Sequence, residues 1–118
     1  MTEQPPISAF PVSHQGPGSQ VFFDRSELNR ILGVYGRMVA AGEWKDYAID
    51  MMANEAVFSI FRRSSEMPIY RIIKTPREAR NQGAYRVLGM NGTILKRGRD
   101  LSQVLRLFER KLMKIIED

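Results

Sequence analysis

The sequence contains no cysteine, which excludes disulfide bonds, thiolate catalysis, iron–sulfur clusters and zinc sites built on cysteine. Its one histidine, His14, lies in a proline- and glycine-rich N-terminal segment, where a lone histidine is typically solvated rather than a ligand or a base. Nucleophile pairs of the Cys–His and Ser–His kinds are therefore excluded as well. We expect a protein that is not an enzyme and that binds no metal or cofactor.

Long hydrophobic runs are also lacking, since no apolar stretch approaches the roughly 20 residues that a membrane helix needs. The first ten residues, MTEQPPISAF, have neither a basic start nor a continuous apolar run, so we expect no secretory signal. The 118 residues, 43% of them hydrophobic, suffice for one domain with a core. These features predict a cytoplasmic protein without membrane contact.

The chain divides into a tail and a domain. Residues 1–20 hold four prolines and two glycines but few apolar side chains to offset the entropy of ordering, so we predict a disordered tail there. Residues 21–118 are predicted to form a single α+β domain. Its first helix spans about residues 25–41, with Asp24 or Ser26 as the cap, and its last spans about 101–116.

Between the two helices, five segments are rich in β-formers or alternate apolar with polar residues. We predict strands at 46–52, 56–63, 67–74, 84–90 and 93–98. The Asn91-Gly92 dipeptide is a strong hairpin signal, and connections this short favour an antiparallel meander. The predicted fold is a helix, an antiparallel meander of about five strands, and a helix.

Several blocks of the sequence carry a resemblance: VYGRMVAAGEWKDYAIDM at 34–51, then AVFSIFRR, PIYRI, QGAYRV and ILKRG-x-DLSQVLR. Together they resemble a small family of uncharacterised proteobacterial proteins, catalogued only as a domain of unknown function. The resemblance covers about residues 25–110. It implies no activity, cofactor or site residue, so functional predictions depend on the residues themselves.

The net charge of +5 comes from one basic block, because residues 62–99 hold ten Lys and Arg against two acids. Eight of the ten are arginines, which suit two-pronged contacts to phosphate or carboxylate. The candidate contacts for an acidic partner or nucleic acid are Arg62, Arg63, Arg71, Lys74, Arg86, Lys96 and Arg97.

Aromatic residues are interleaved with these cations, namely Phe61, Tyr70 and Tyr85. Cations that follow phosphates and rings that stack on bases are what a sheet surface needs to bind single-stranded nucleic acid. The alternative is a solvated basic face that keeps the protein soluble and protects the sheet edge.

Apolar residues occur on both faces of the predicted sheet, because Phe58 and Ile60 point opposite to Phe61, and Ile72 points opposite to Ile73. Either the two helices cover opposite faces, or one face pairs with a second copy of the chain. A protein-binding or self-associating module is therefore the first hypothesis. Nucleic-acid binding is the second, and a small-ligand carrier or an enzyme is a remote third.

Weaker features have simpler interpretations. Asp46 and Asp50 share a face of one strand, but we interpret them as solvated residues rather than as a catalytic carboxylate pair. Trp44 is expected to fill one end of the core rather than to form an exposed stacking platform. Gly33 and Gly36 disfavour the first helix by about 1 kcal/mol each relative to alanine, which close packing against the sheet would offset.

Overall fold

The fold consists of two helices and one five-stranded sheet, in a computed structural model that describes residues 20–63 and 67–117. The elements are α1 (Arg25–Ala40), β1 (Asp46–Met51), β2 (Ala56–Phe61), β3 (Tyr70–Lys74), β4 (Tyr85–Gly89), β5 (Ile94–Gly98) and α2 (Leu101–Glu117). A 3-10 turn at Pro76–Glu78 connects β3 to β4. The predicted α+β class and the order of the elements are confirmed. The tail predicted for residues 1–20 lies outside the described residues, apart from Gln20.

Helix α1 begins at a capping box. The carboxylate of Asp24 accepts the backbone N–H of Glu27 at 2.8 Å, and the carboxylate of Glu27 accepts the backbone N–H of Asp24 at 2.8 Å. The two reciprocal bonds satisfy donors that a helix start otherwise leaves without partners. Of the two caps that the sequence allowed, Asp24 is therefore the one used.

The sheet is an antiparallel meander in which neighbours in sequence are neighbours in space, in the order β1-β2-β3-β4-β5. The turn between β4 and β5 contains Gly92, whose φ of 84° is a backbone conformation that glycine adopts without a steric penalty. The hairpin predicted from Asn91-Gly92 is confirmed. Strands β1 and β5 form the two edges, and the β4–β5 register shifts beside Leu88.

Both helices pack on the same face of the sheet. Residues directly opposite each other in antiparallel strands share a face, and the register places Phe58, Ile72 and Val87 side by side. These three belong to one core together with residues of both helices, among them Ile31, Val34, Met38, Val104, Leu105 and Phe108. Val57 and Ile73 point the other way and lie outside this core. The two helices therefore cover one face of the sheet rather than opposite faces.

Trp44 fills one end of the core, as predicted. Only 4% of the residue is exposed, and its ring lies 4.9 Å from that of Phe108 in an edge-to-face arrangement. The rings of Tyr35 and Tyr70 also lie near it, each at 6.1 Å. A ring enclosed in this way is not available for stacking on a ligand.

The expectation of close packing at Gly33 and Gly36 is wrong. Apart from its chain neighbours and the nearby backbone of α1, a Cβ atom built at either position meets no heavy atom within 4 Å. The buried residues of α1, Ile31, Val34 and Met38, point into the core, whereas both glycines are exposed. The conformational cost of the two glycines is therefore not offset by contacts at those positions.

Candidate interaction surface

The sheet has a face that neither helix covers, which we call the open face. It consists of the strand residues that alternate with the core residues. They are Asp46, Ala48 and Asp50 on β1, Val57, Ser59 and Phe61 on β2, Arg71 and Ile73 on β3, Arg86 and Leu88 on β4, and Arg97 and Ile94 on β5. Acidic residues lie on one edge strand of this face, whereas the arginines lie on β3, β4 and β5.

One row of side chains crosses the open face from edge to edge. The register pairs Asp50 with Val57, Val57 with Ile73, Ile73 with Arg86, and Arg86 with Arg97. The row therefore begins with a carboxylate on β1, continues with two apolar residues and ends with two guanidinium groups. Val57 and Ile73 are only 6% and 3% exposed, whereas Asp50 and Arg97 at the ends of the row are exposed.

The neighbouring row has a different character. It pairs Ala48 with Ser59, Ser59 with Arg71, Arg71 with Leu88, and Leu88 with Ile94. Ile94 is 46% exposed, and Leu88 is half-buried. This row adds accessible apolar surface near β5 and one arginine on the central strand.

The structure divides the seven cations predicted as contacts into three groups. Arg71, Arg86 and Arg97 lie together on the open face. Lys74 and Lys96 lie on the opposite face, since they pair with Tyr85 and Val87. Arg62 and Arg63 follow the end of β2 and are exposed. Arg71 and Arg97 make no hydrogen bond or ion pair within the described part of the chain, so their guanidinium groups are available to a partner.

Lys74 is engaged inside the protein. Its ammonium group donates to the carboxylate of Glu27 at 2.7 Å and to the backbone carbonyl of Phe22 at 2.9 Å. The hydroxyl of Tyr85, opposite Lys74 on β4, donates to the other oxygen of Glu27. This network joins the start of α1 to the sheet, which makes Lys74 a structural residue rather than a surface contact.

Burial and the same network raise the pKa of the Tyr85 phenol. Burial is the main cause that raises its pKa, and the hydrogen bond to Glu27 and the negative charge of that carboxylate raise it further. Tyr85 and Tyr70 were both predicted to interleave with the cations on a nucleic-acid surface. Both lie on the helix-covered face, and Tyr70 contacts Phe108. Of the three predicted aromatics, Phe61 alone lies on the open face.

The Arg86 side chain, at one end of the open face, is fixed by two neighbours. Its guanidinium donates to the hydroxyl oxygen of Thr75 at 3.0 Å and contacts the carboxylate of Glu55 at 3.4 Å. Sequence reasoning did not assign a role to Thr75 or Glu55, because one follows β3 and the other precedes β2. The meander alone brings them beside Arg86.

The carboxylates of Asp46 and Asp50 lie on the open face of β1 and are exposed, which agrees with their interpretation as solvated residues. Residues 20–63 and 67–117 contain no group of three or more His, Cys, Asp or Glu side chains arranged to hold a metal ion. Within the same residues, no helix is long and apolar enough to cross a membrane.

Comparison with known proteins places the chain in a family. A family model described as "Protein of unknown function (DUF2794)" matches residues 21–105, which include α1, the whole sheet and the start of α2. No curated protein and no solved structure matches the chain. The match agrees with the resemblance noted from the sequence blocks.

Proposed function

We propose, for a chain that belongs to the DUF2794 family of proteins of unknown function, that the domain self-associates through its open face. The observation that carries this proposal is the row from Asp50 to Arg97, which changes from acidic through apolar to basic across the sheet. A surface with opposite charges at its two ends and apolar residues between them is complementary to a rotated copy of itself. Neither helix packs on this surface, and its accessible part lies around the largely buried Val57, Ser59 and Ile73.

The charge pattern is complementary under one kind of symmetry. A two-fold axis that runs parallel to the strands near β3 lays β1 of each copy over β5 of the other. Asp50 then faces Arg97 of the second copy, and Ile73 faces Ile73. Stacked sheets in this arrangement lie about 10 Å apart with their strands within about 30° of parallel.

The contact energy in this arrangement comes mainly from the residues that are still accessible. Val57 and Ile73 have little surface left to bury, so Phe61, Leu88 and Ile94 provide most of the apolar contact. Burying a partly exposed side chain of this size contributes on the order of 1 kcal/mol, and two-fold symmetry counts each residue twice. The charged pairs at the rim contribute less, about 0.2–1 kcal/mol each, but they favour one orientation.

Nucleic-acid binding is the second candidate, and the unpaired guanidinium groups of Arg71 and Arg97 favour it. Two features of the open face disfavour it. Asp46 and Asp50 repel phosphate at the β1 edge, and Phe61 is the one ring of the three predicted aromatics that can stack on a base.

Substitution of Arg71 distinguishes the two candidate functions, because R71Q should strengthen binding in one case and weaken it in the other. In the two-fold arrangement the Arg71 side chains of both copies approach each other near the axis, so R71Q removes a repulsion and should strengthen self-association. On a nucleic-acid surface, R71Q removes a phosphate contact and should weaken binding. The matched control is K96Q, which makes the same change in net charge on the opposite face.

The experiment combines sedimentation velocity over a range of protein concentrations with fluorescence anisotropy of single- and double-stranded oligonucleotides at two salt concentrations. A concentration-dependent dimer that R71Q strengthens and K96Q leaves unchanged supports self-association. A strict monomer at high concentration contradicts it. Oligonucleotide binding that falls steeply with salt and is weakened by R71Q supports the second candidate.

A further inference from the structure

A polar pocket of about 260 Å³ lies at the β5 end of the open face, beside the loop that joins β3 to β4. Three arginines line it, Arg77 from the loop, Arg86 from β4 and Arg97 from β5. Its volume is several times the roughly 30 Å³ that one water molecule occupies in the liquid. The pocket therefore has room for a small polyatomic ligand.

The loop that forms one wall of the pocket is fixed by backbone contacts. Gly83 has a φ of 94°, and a Cβ atom built there would lie 2.3 Å from the carbonyl carbon of Gly98. The loop therefore lies directly against the end of β5. In addition, the backbone N–H groups of Asn81, Gln82 and Gly83 all donate to the carbonyl of Glu78 at 3.0–3.1 Å. These contacts fix the backbone of the loop that carries Arg77.

The donors in the pocket suit an oxyanion. Thr75 is 6% exposed, and its hydroxyl oxygen accepts from Arg86 at 3.0 Å, which leaves the hydroxyl hydrogen free to donate to a ligand. Arg77 and Arg97 make no ion pair within the described residues. Guanidinium groups and hydroxyls bind tetrahedral oxyanions through short, charge-assisted hydrogen bonds.

Two carboxylates also line the pocket: that of Glu55 contacts Arg86 at 3.4 Å, whereas that of Glu78 makes no ion pair within the described residues. A carboxylate repels a fully deprotonated anion, but it accepts a hydrogen bond from an anion that retains a hydroxyl group. Near neutral pH inorganic phosphate retains a P–OH group, whereas sulfate has no hydrogen to donate. We propose that this pocket binds inorganic phosphate, or a phosphate group with a free hydroxyl, in preference to sulfate.

The test uses the full chain and two ions of similar size and charge. Isothermal titration calorimetry with sodium phosphate and sodium sulfate, at matched ionic strength, should give saturable binding for phosphate alone. R77Q should weaken phosphate binding about tenfold because it removes a charged hydrogen bond. R80Q is the matched control, since Arg80 lies in the same loop but does not line the pocket. E78Q should reduce the preference for phosphate over sulfate.

Equal binding of phosphate and sulfate, equal effects of R77Q and R80Q, or no phosphate binding would each overturn the proposal. Circular dichroism checks that R77Q is folded, and T75V, which removes the hydroxyl donor with little change in shape, gives a second test. Arg86 and Arg97 belong both to the pocket and to the row that the proposed dimer would cover, whereas Arg77 lies outside the rows of the open face. D50R lies at the other edge of the sheet and should weaken self-association without touching the pocket. Phosphate binding measured on D50R therefore tests the pocket separately from the dimer.

Discussion

Asp50 and Arg97 lie at opposite ends of one row of side chains that crosses the sheet, on the face away from both helices. Four strand pairings separate them, so they do not interact within one chain. Since neighbouring strands are about 4.8 Å apart, the row is roughly 19 Å long. This separation allows the two ends of the row to meet their opposites on a second copy.

Reversing either charge should weaken self-association by about tenfold or more, because each substitution turns two symmetric attractions into repulsions. The two variants D50R and R97D shift the net charge of +5 in opposite directions. If general charge repulsion between copies were the cause, D50R would self-associate more weakly than the unsubstituted protein and R97D would self-associate more strongly. Sedimentation velocity on each variant distinguishes this pattern from the expected result, in which both variants self-associate more weakly.

Mixing the two variants gives the stricter test. In a mixed dimer the arginine introduced by D50R faces the aspartate introduced by R97D. At the other end of the row, the native Arg97 of the first variant faces the native Asp50 of the second, so both contacts have opposite charges again. An equimolar mixture should associate about as strongly as the original protein. If the mixture stays as weak as its components, the two-fold arrangement with β1 over β5 is wrong.

The sequence predicted the helices and strands to within a few residues because each element has a strong local signal. The Asp24 cap, the alternation along β1 and the Asn91-Gly92 turn depend on neighbours in the chain. Strand β3 shows the limit of this approach, since it begins at Tyr70 rather than at 67. Pro68 has no N–H to donate to a strand pairing, which explains the late start.

The assignment of cations to a surface could not be predicted as well, because it depends on the register and on which face the helices cover. Lys74 and Tyr85 were predicted to belong to a basic, aromatic surface, but both contact Glu27 under the start of α1. A buried acid three residues into a helix has no distinctive sequence signal apart from the capping box. The roles of Thr75 and Glu55 beside Arg86 likewise arise only from tertiary structure.

The bond between Glu27 and Lys74 should contribute strongly to stability. Their side chains are only 10% and 17% exposed, so E27Q leaves a largely buried ammonium group without a charged partner. We expect a loss of about 2 kcal/mol in the free energy of unfolding, measured by urea denaturation. The control is E109Q at the exposed Arg37–Glu109 pair, where both side chains are about half exposed and the expected change is below about 0.5 kcal/mol.

A double-mutant cycle tests whether the effect belongs to this pair. E27Q combined with K74M should cost less than the sum of the single substitutions, because the second change removes the unpaired charge that the first one leaves. Strictly additive losses would show that the two side chains do not stabilise each other.

Stability should fall in alkaline solution, and Tyr85 should be one cause. Burial and the hydrogen bond to Glu27 raise its pKa above the ordinary 10.0, so above that pH the unfolded chain releases a proton that the folded chain retains. Folding is then disfavoured progressively as the pH rises, whereas below about pH 10 the hydrogen bond contributes fully. Y85F should reduce the loss of stability between about pH 9 and about pH 11.

Urea denaturation across this pH range measures the effect, and phenolate absorbance follows the titration itself. Y47F is the control, because Tyr47 is an exposed phenol whose hydroxyl makes no hydrogen bond within the described residues. An equal pH dependence for Y85F, Y47F and the unsubstituted protein would contradict the role of Tyr85.

Two glycine-to-alanine substitutions should have opposite effects. Gly33 lies in α1, and outside the nearby backbone of that helix no heavy atom lies within 4 Å of an added Cβ, so G33A should stabilise the protein by about 1 kcal/mol through helix propensity alone. Gly83 has a φ of 94° and lies against the backbone of Gly98, so G83A adds backbone strain of about 1–3 kcal/mol and a clash with atoms that cannot rotate away. Urea denaturation should show a higher free energy of unfolding for G33A and a lower one for G83A. Because Gly83 also fixes the wall of the phosphate pocket, G83A should weaken phosphate binding in molecules that remain folded, whereas G33A should leave it unchanged.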